Sequence, residues 1–167
     1  MRSLFARSRD LAQSLGAGVG VGVIGGGVSY LFLKALSWSN NTRLDNGWII
    51  YFLPLAGLAI GLAFHYAGES VRGGSNLVLE EIHEPGGGVP RRMAPFIFLS
   101  TAISHLFGAS TGREGAGIQI TASVTDGLSR VFKPSPETRK VLLITSIAAA
   151  FGGLFGVPVG GVVFALE

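Results

Sequence analysis

The chain has 167 residues, of which 48% are hydrophobic and only 14% charged, against about 25% charged in an ordinary soluble domain. Its formal net charge is +3 and its mean hydropathy +0.50, which excludes ordinary disorder, and the lack of cysteine excludes a disulfide scaffold. Charge this scarce cannot cover a water-facing surface, so with 26 glycines the composition points to an all-α integral membrane protein in which small residues let helices approach closely.

The charges are clustered. None occurs from Gly16 to Leu33, from Gly47 to Gly68, from Met93 to Gly112 or from Val141 to Leu166, and a helix needs about 20 apolar residues to cross a bilayer. Buried helices of a large soluble protein are the alternative, and four such runs in so short a chain argue against them. The expected layout is one transmembrane region over 1–167. It has a cytoplasmic N-terminus (1–10) and spans near 11–38, 47–68, 93–112, 116–132 and 141–166.

At the N-terminus, Arg2, Arg7 and Arg9 precede an apolar run too long for a signal-peptide core. They read as positive-inside residues that keep this end in the cytoplasm. The first span is expected to exit near Ser39, with 40–46 as an outer loop. Its glycines at 16, 18, 20, 22 and 25–27 have small-xxx-small spacing, repeated by Gly57 and Gly61 on the second span, and both sets read as helix-packing positions.

The second span returns the chain inside near Glu69, and 69–92 carries Arg72, Arg91 and Arg92. Within it, Gly73-Gly74-Ser75-Asn76 precedes an apolar-acidic run that Glu84-Pro85-Gly86 ends. The pattern predicts a Ser-Asn cap on a short half-helix, the element that transporters aim at anions. A capped cytoplasmic helix would look the same. Glu80, His83 and Glu84 share a helix face, but a single Glu-x-x-His copy without partner helices gives no metal site.

From Met93 the chain must go out and come back before the basic loop of Arg130, Lys133, Arg139 and Lys140. The return segment is short and polar, with Gln119, Thr121, Ser123, Thr125 and Asp126. The turn at 112–115 is therefore expected at membrane depth, where irregular backbone survives only in a cavity or packed in protein. The octapeptide Gly108–Gly115 is not a phosphate loop, since Arg113 and Glu114 stand where Lys and Ser or Thr should be. It reads as a helix N-terminus whose amides and dipole attract an anion. Glu114 can be that anion itself, and protonating it would vacate the place. A Glu114 cap paired with Arg113 is the plainer reading, although an ionisable residue at this depth is a functional candidate by default. His65 and His105 read as packed or interfacial. The last run, broken by Gly152, Gly153, Gly156, Pro158, Gly160 and Gly161, is expected to be two helices joined at depth.

Three of these stretches resemble one family. Gly112-Arg113-Glu114-Gly115 resembles the GREG signature of the CLC chloride channels and transporters, and Gly74-Ser75 is similar to the start of its GSGIP motif. The stretch from Ala148-Ala149-Ala150-Phe151 to Phe164-Ala165-Leu166-Glu167 resembles its AAAF…P…G…FALE run. The resemblance covers nearly the whole chain from the first span onward and implies the first of two inverted repeats, with broken and re-entrant helices. It implies that Ser75, with Gly74 and Asn76 beside it, contacts the central anion. By the same resemblance Glu114 is the gating and proton-coupling carboxylate, and Gly112, Arg113, Gly115 and Ala116 form the loop facing the anion. Glu167 falls at or next to the inner carboxylates of the proton path.

The departures from the family pattern are Asn76, Leu77 and Val78 after the serine and Ala116 in place of proline. They are similar to the bacterial fluoride-exporting branch, which however has another residue where Ser75 stands. The implied function is proton-coupled movement of chloride, with fluoride as the alternative anion. The implied setting is a bacterial inner membrane, with halide, protons, lipid and a second copy of the chain as partners. The family's second-half motifs, GxFxP and a pore tyrosine, are not found, so an N-terminal fragment is expected. A non-transporting membrane subunit is the reading from another class. No HExxH or GxSxG motif suggests an enzyme, no cofactor or metal site is expected, and no basic stripe calls for nucleic acid.

Overall fold

The computed structural model describes residues 2–132 and 134–167, with side chains described from residue 15. The side chains of Arg2, Arg7 and Arg9, and Lys133 of the basic loop, lie outside the described residues. Among the described residues seven α-helices follow in order: α1 (Arg2–Asp45), α2 (Leu53–Tyr66), α3 (Ser75–His83), α4 (Met93–Leu106), α5 (Arg113–Phe132), α6 (Pro136–Phe155) and α7 (Pro158–Leu166). Short 3-10 turns at Gly47–Phe52 and Glu69–Val71 flank α2.

Apolar character and burial run opposite to the pattern of a soluble protein. Three segments, Leu15–Asp45, Gly47–Tyr66 and Pro136–Phe155, are long and apolar enough to cross a membrane, yet Val23, Leu55 and Leu58 stand at least 60% exposed. The polar helix α5 is the buried one: Thr121, Ser123, Thr125 and Asp126 are all at most 2% exposed. α5 packs against α6, α4 and α1, and α6 packs against α1 and α7. One apolar cluster joins Val71, Val78, Ile82, Met93, Ile118 and Leu143 across α3, α4, α5 and α6. A second joins Phe32 and Leu36 of α1 to Ala116, Ile120 and Leu154.

Several boundaries differ from the sequence reading. The outer loop expected at 40–46 is helix as far as Asp45, because no Gly or Pro interrupts it. Asn46 ends it, its amide and side chain both donating to Thr42 O, at 3.1 and 3.0 Å. α4 stops at Leu106 and so rises about 21 Å, short of the ~30 Å hydrocarbon core. α5 starts at Arg113, which places Arg113, Glu114 and Gly115 of the GREG stretch in its first turn and leaves Gly112 just ahead of it. α6 begins at Pro136, capped by the Ser135 hydroxyl accepting from Thr138 N–H at 3.2 Å.

The last apolar run is two helices. Gly156 closes α6 in the left-handed region (φ 69°, ψ 24°), and Pro158 opens α7. α7 folds back on α6 so closely that a Cβ on Gly161 would lie 2.5 Å from Ala148 O.

Among the described residues of this chain, few of the glycines in the two stripes meet a neighbouring helix. On α1 only at Gly25 would a Cβ meet a neighbour, 2.6 Å from Ala149 Cβ of α6. Gly16, Gly18, Gly20, Gly22, Gly26, Gly27, Gly57 and Gly61 have open space where a side chain would stand. Spacing alone identifies a smooth face; among the described residues it meets α6 at Gly25 and at Gly26, whose Cα would lie 3.7 Å from a Cβ on Gly153.

Candidate functional site

The chain leaves the 3-10 turn at Val71 and reverses at Gly73-Gly74. Gly74 has φ +57° and ψ −132°, a conformation open to glycine and strained for residues with a Cβ. This corrects the expected cap: Gly74 stands at the N-cap position, and Ser75 is the first helical residue. The amides of Asn76 and Leu77 are engaged by Gly73 O and Gly74 O at 3.1 and 3.2 Å. The Asn76 side chain is exposed.

The N-terminus of α5 meets this point. Gln119, in the second turn of α5, donates from Nε2 to Ser75 Oγ at 3.1 Å. A Cβ on Gly115 would lie 3.7 Å from both Ser75 Oγ and Gln119 Nε2, and one on Gly74 3.6 Å from Gln119 Nε2. These are ordinary van der Waals distances, so a methyl group would fit at Gly115, and Gly74 is set apart by its φ of +57° and not by lack of space. The positive dipole ends of the two helices converge on one half-buried hydroxyl. The first amides of an α-helix have no partner within it, and no loop carbonyl takes up those of Arg113–Ala116 among the described residues.

The Ser75–Gln119 bond fixes the serine's chemistry. A hydroxyl has one proton and two acceptor lone pairs. Because Oγ accepts from the amide, its own O–H is free to donate. An anion at the mouth of α3 and α5 would meet that hydroxyl together with unused amides.

The other expected residues are distributed around this centre. Ala116 is buried behind it. Glu114 is exposed, its Oε2 3.4 Å from where a Cβ on Gly112 would be. The alternative reading, a Glu114 cap paired with Arg113, is not formed, since among the described residues Arg113 makes no ion pair. Its guanidinium instead lies over the Phe155 ring at 5.9 Å from the centroid. Glu167 ends α7 exposed and is not brought to the Ser75 centre.

Two features escaped the sequence. One is Gln119, legible only as a polar residue in a span until its partner on α3 is known. The other is an ion cluster at the far end of α3 and α5. Buried Glu81 bridges Arg139 at 2.6 Å and accepts from Gly86 N–H at 3.2 Å and Gly88 N–H at 2.6 Å. Asp126, with a fully buried side chain, bonds both Arg130 and Arg139 at 2.6 Å and accepts from Val89 N–H at 2.9 Å. Glu81 was read only as part of an apolar-acidic run, and nothing local announces its burial.

Comparison with known proteins agrees with this architecture. The family profile described as voltage gated chloride channel matches residues 56–167. A chloride/fluoride channel protein of Pseudomonas syringae pv. tomato is 44% identical over 147 residues, covering 88% of this chain and 32% of that protein. An H(+)/Cl(-) exchange transporter, ClcA, of Salmonella schwarzengrund is 30% identical over all of this chain and 38% of its own length. The crystal structure of a CLC-type fluoride/proton antiporter superposes with a TM-score of 0.86 at 32% identity, over 94% of this chain and 40% of that one. The chain thus spans about a third of the length of the curated relatives it matches. With the profile match over two-thirds of its residues and helix starts that converge as described, the chain belongs to the voltage-gated chloride channel (CLC) family.

Proposed function

We propose that this chain forms part of a membrane pathway for a small halide, in which the anion is held at the Ser75–Gly115 junction and gated by Glu114. The observation that carries the reading is the meeting of two helix N-termini on a serine hydroxyl whose proton is free, the Ser75 Oγ accepting from Gln119 at 3.1 Å. Gly74, Gly112, Gly115 and Ala116 supply backbone amides or room for them. Asn76 and Arg113 flank the path, and Glu167 belongs to the inner proton route. Ionised, Glu114 competes with the halide for the same positive helix end. Protonated, it gives up that place, and this couples anion passage to proton uptake. The pathway makes and breaks no covalent bond.

The proposed setting is a bacterial inner membrane. The N-terminus is cytoplasmic, as is the end where Arg130 and Arg139 meet the 84–92 loop, and the assembled protein is a homodimer. The spans lie near 11–38, 47–68, 93–112, 116–132 and 141–166, adjusted to the helix limits given above. Chloride is the first reading. Fluoride is the second, favoured by the names of the Pseudomonas relative and of the superposed antiporter.

The test is halide efflux and proton flux from liposomes containing the protein, with chloride and fluoride in competition. Glu114→Gln is expected to keep anion flux while proton movement falls by about a hundredfold or more, the lower end of the range for loss of an acid-base group. Equal proton coupling in wild type and variant would overturn the gating role.

A further inference from the structure

Arg113 opens α5 and stands next to Glu114, yet its charge is turned elsewhere. Its guanidinium carbon lies 5.9 Å from the centroid of the Phe155 ring, at the last position of α6. That ring is backed by others. Phe151, one turn earlier on α6, lies 4.6 Å from Phe155, centroid to centroid. Phe164 of α7 stacks on Phe151 at 4.4 Å, with 16° between the planes. The close return of α7 after Gly156 and Pro158 brings these rings together. Three rings from two helices thus form one ladder, and Arg113 rests on its end.

An aromatic face attracts a cation within about 6 Å of its centroid. Glu114 is the other group that attracts this one, because both side chains line a single cavity of about 390 Å³. Arg43 of α1 and His105 of α4 are the other titratable groups lining it, and no residue of α3 or α6 does so.

We propose that Phe155 is a positioning residue for the gate: its ring holds the Arg113 guanidinium on the α6 side, away from the Glu114 carboxylate, and so sets the pH at which the gate takes up its proton. The inference rests on the gating role proposed for Glu114. Its sign follows from charge. A guanidinium beside a carboxylate favours the ionised form, so an Arg113 free to turn toward Glu114 keeps the gate occupied down to lower pH. Held on Phe155, it lets the gate open at higher pH. A ring contact at an exposed site offsets such pairing by about two- to fivefold, which is roughly half a pH unit.

The experiment is halide efflux from liposomes as a function of pH. Phe155→Leu keeps apolar bulk without a ring face, and its half-maximal flux is expected about half a unit more acidic than that of wild type. Phe155→Tyr keeps the face and stays at the wild-type midpoint. Arg113→Gln is expected to move the midpoint up by well under about one unit, because the charge it removes is already held by the ring. Added to Arg113→Gln, Phe155→Leu has no further effect.

A Phe155→Leu shift that persists without Arg113 overturns the proposal, since the ring then acts by packing alone. So does an upward Arg113→Gln shift of about one to three units, the range for a cation already beside a carboxylate, and this arm changes nothing at Phe155. If Phe155→Leu leaves the midpoint in place while Glu114→Gln abolishes the pH dependence, the proposal is wrong and the gating role stands. If Glu114→Gln keeps the wild-type profile, the gating role itself falls and takes this inference with it.

Discussion

At Ser75 one hydrogen bond decides what the hydroxyl can offer. Gln119 Nε2 fills one of its acceptor lone pairs at 3.1 Å, while Gln119 Oε1 is buried without a partner among the described residues. The amide is thus held in place for what it does to the serine, at the cost of an unsatisfied carbonyl. Gln119→Leu removes this donor at similar volume and lets the hydroxyl turn, so that its proton is no longer pointed outward. Halide affinity at the inner site is expected to fall about three- to tenfold, the range of a neutral hydrogen bond near 1 kcal/mol, with helix content by circular dichroism unchanged. Halide titration of the two proteins checks it, and equal affinities would show that Ser75 is oriented by something else. The serine itself was legible from Gly73-Gly74-Ser75-Asn76, because glycine reversals and helix starts are local chemistry. Its partner was not, since Gln119 is far away in the chain and only the fold supplies that neighbour.

At the scale of elements, α3 is a helix of nine residues and cannot hold its own position, since isolated helices this short are marginal. Its N-terminus faces Gly115, and its C-terminal half is tied by Glu81 to Arg139 of α6 and to the amides of Gly86 and Gly88. Asp126 of α5 shares Arg139 and also holds Val89 N–H, so one ion cluster fastens α3, α5, α6 and the 84–92 loop together. Breaks at Gly74, Gly156 and Pro158 could be read from residue type. This cluster could not, because Glu81, Asp126 and Arg139 are each unremarkable as charges until burial is known. The glycines of α1 failed in the opposite way, since their spacing was clear and the face they turn to α6 was not.

Asp126→Asn leaves Arg130 and Arg139 facing a neutral amide. Breaking a buried pair costs about 3 kcal/mol, expected as a lowered midpoint in denaturation of the detergent-solubilised protein. Adding Arg139→Met to Asp126→Leu should not recover the loss, because it also takes the partner of buried Glu81 and leaves that carboxylate unpaired. A single variant as stable as wild type would mean that Asp126 does not hold the cluster together.

For the whole molecule, the most polar helix is central and the apolar ones are outermost, as expected where the surroundings are hydrocarbon and not water. α5 can bury Thr121, Ser123 and Thr125 because neighbouring helices enclose them. α2 leaves Leu55, Leu58 and Leu62 exposed at 62%, 60% and 46%. If water covered α2, replacing Leu58 by a charge would cost almost nothing, since exposed surface substitutions usually lie within about 0.5 kcal/mol. In a bilayer the same change places a guanidinium near the middle of a 14-residue helix, where insertion scales give about 2.5–3.5 kcal/mol. Leu58→Arg is therefore expected to reduce the membrane-integrated fraction of the protein severalfold. Tyr66→Arg, at the end of the same helix and 80% exposed, should have little effect because the side chain can reach the interface. Carbonate extraction of membranes expressing each variant reads the fraction directly. Equal integration of Leu58→Arg and wild type would mean that this face of α2 does not meet lipid.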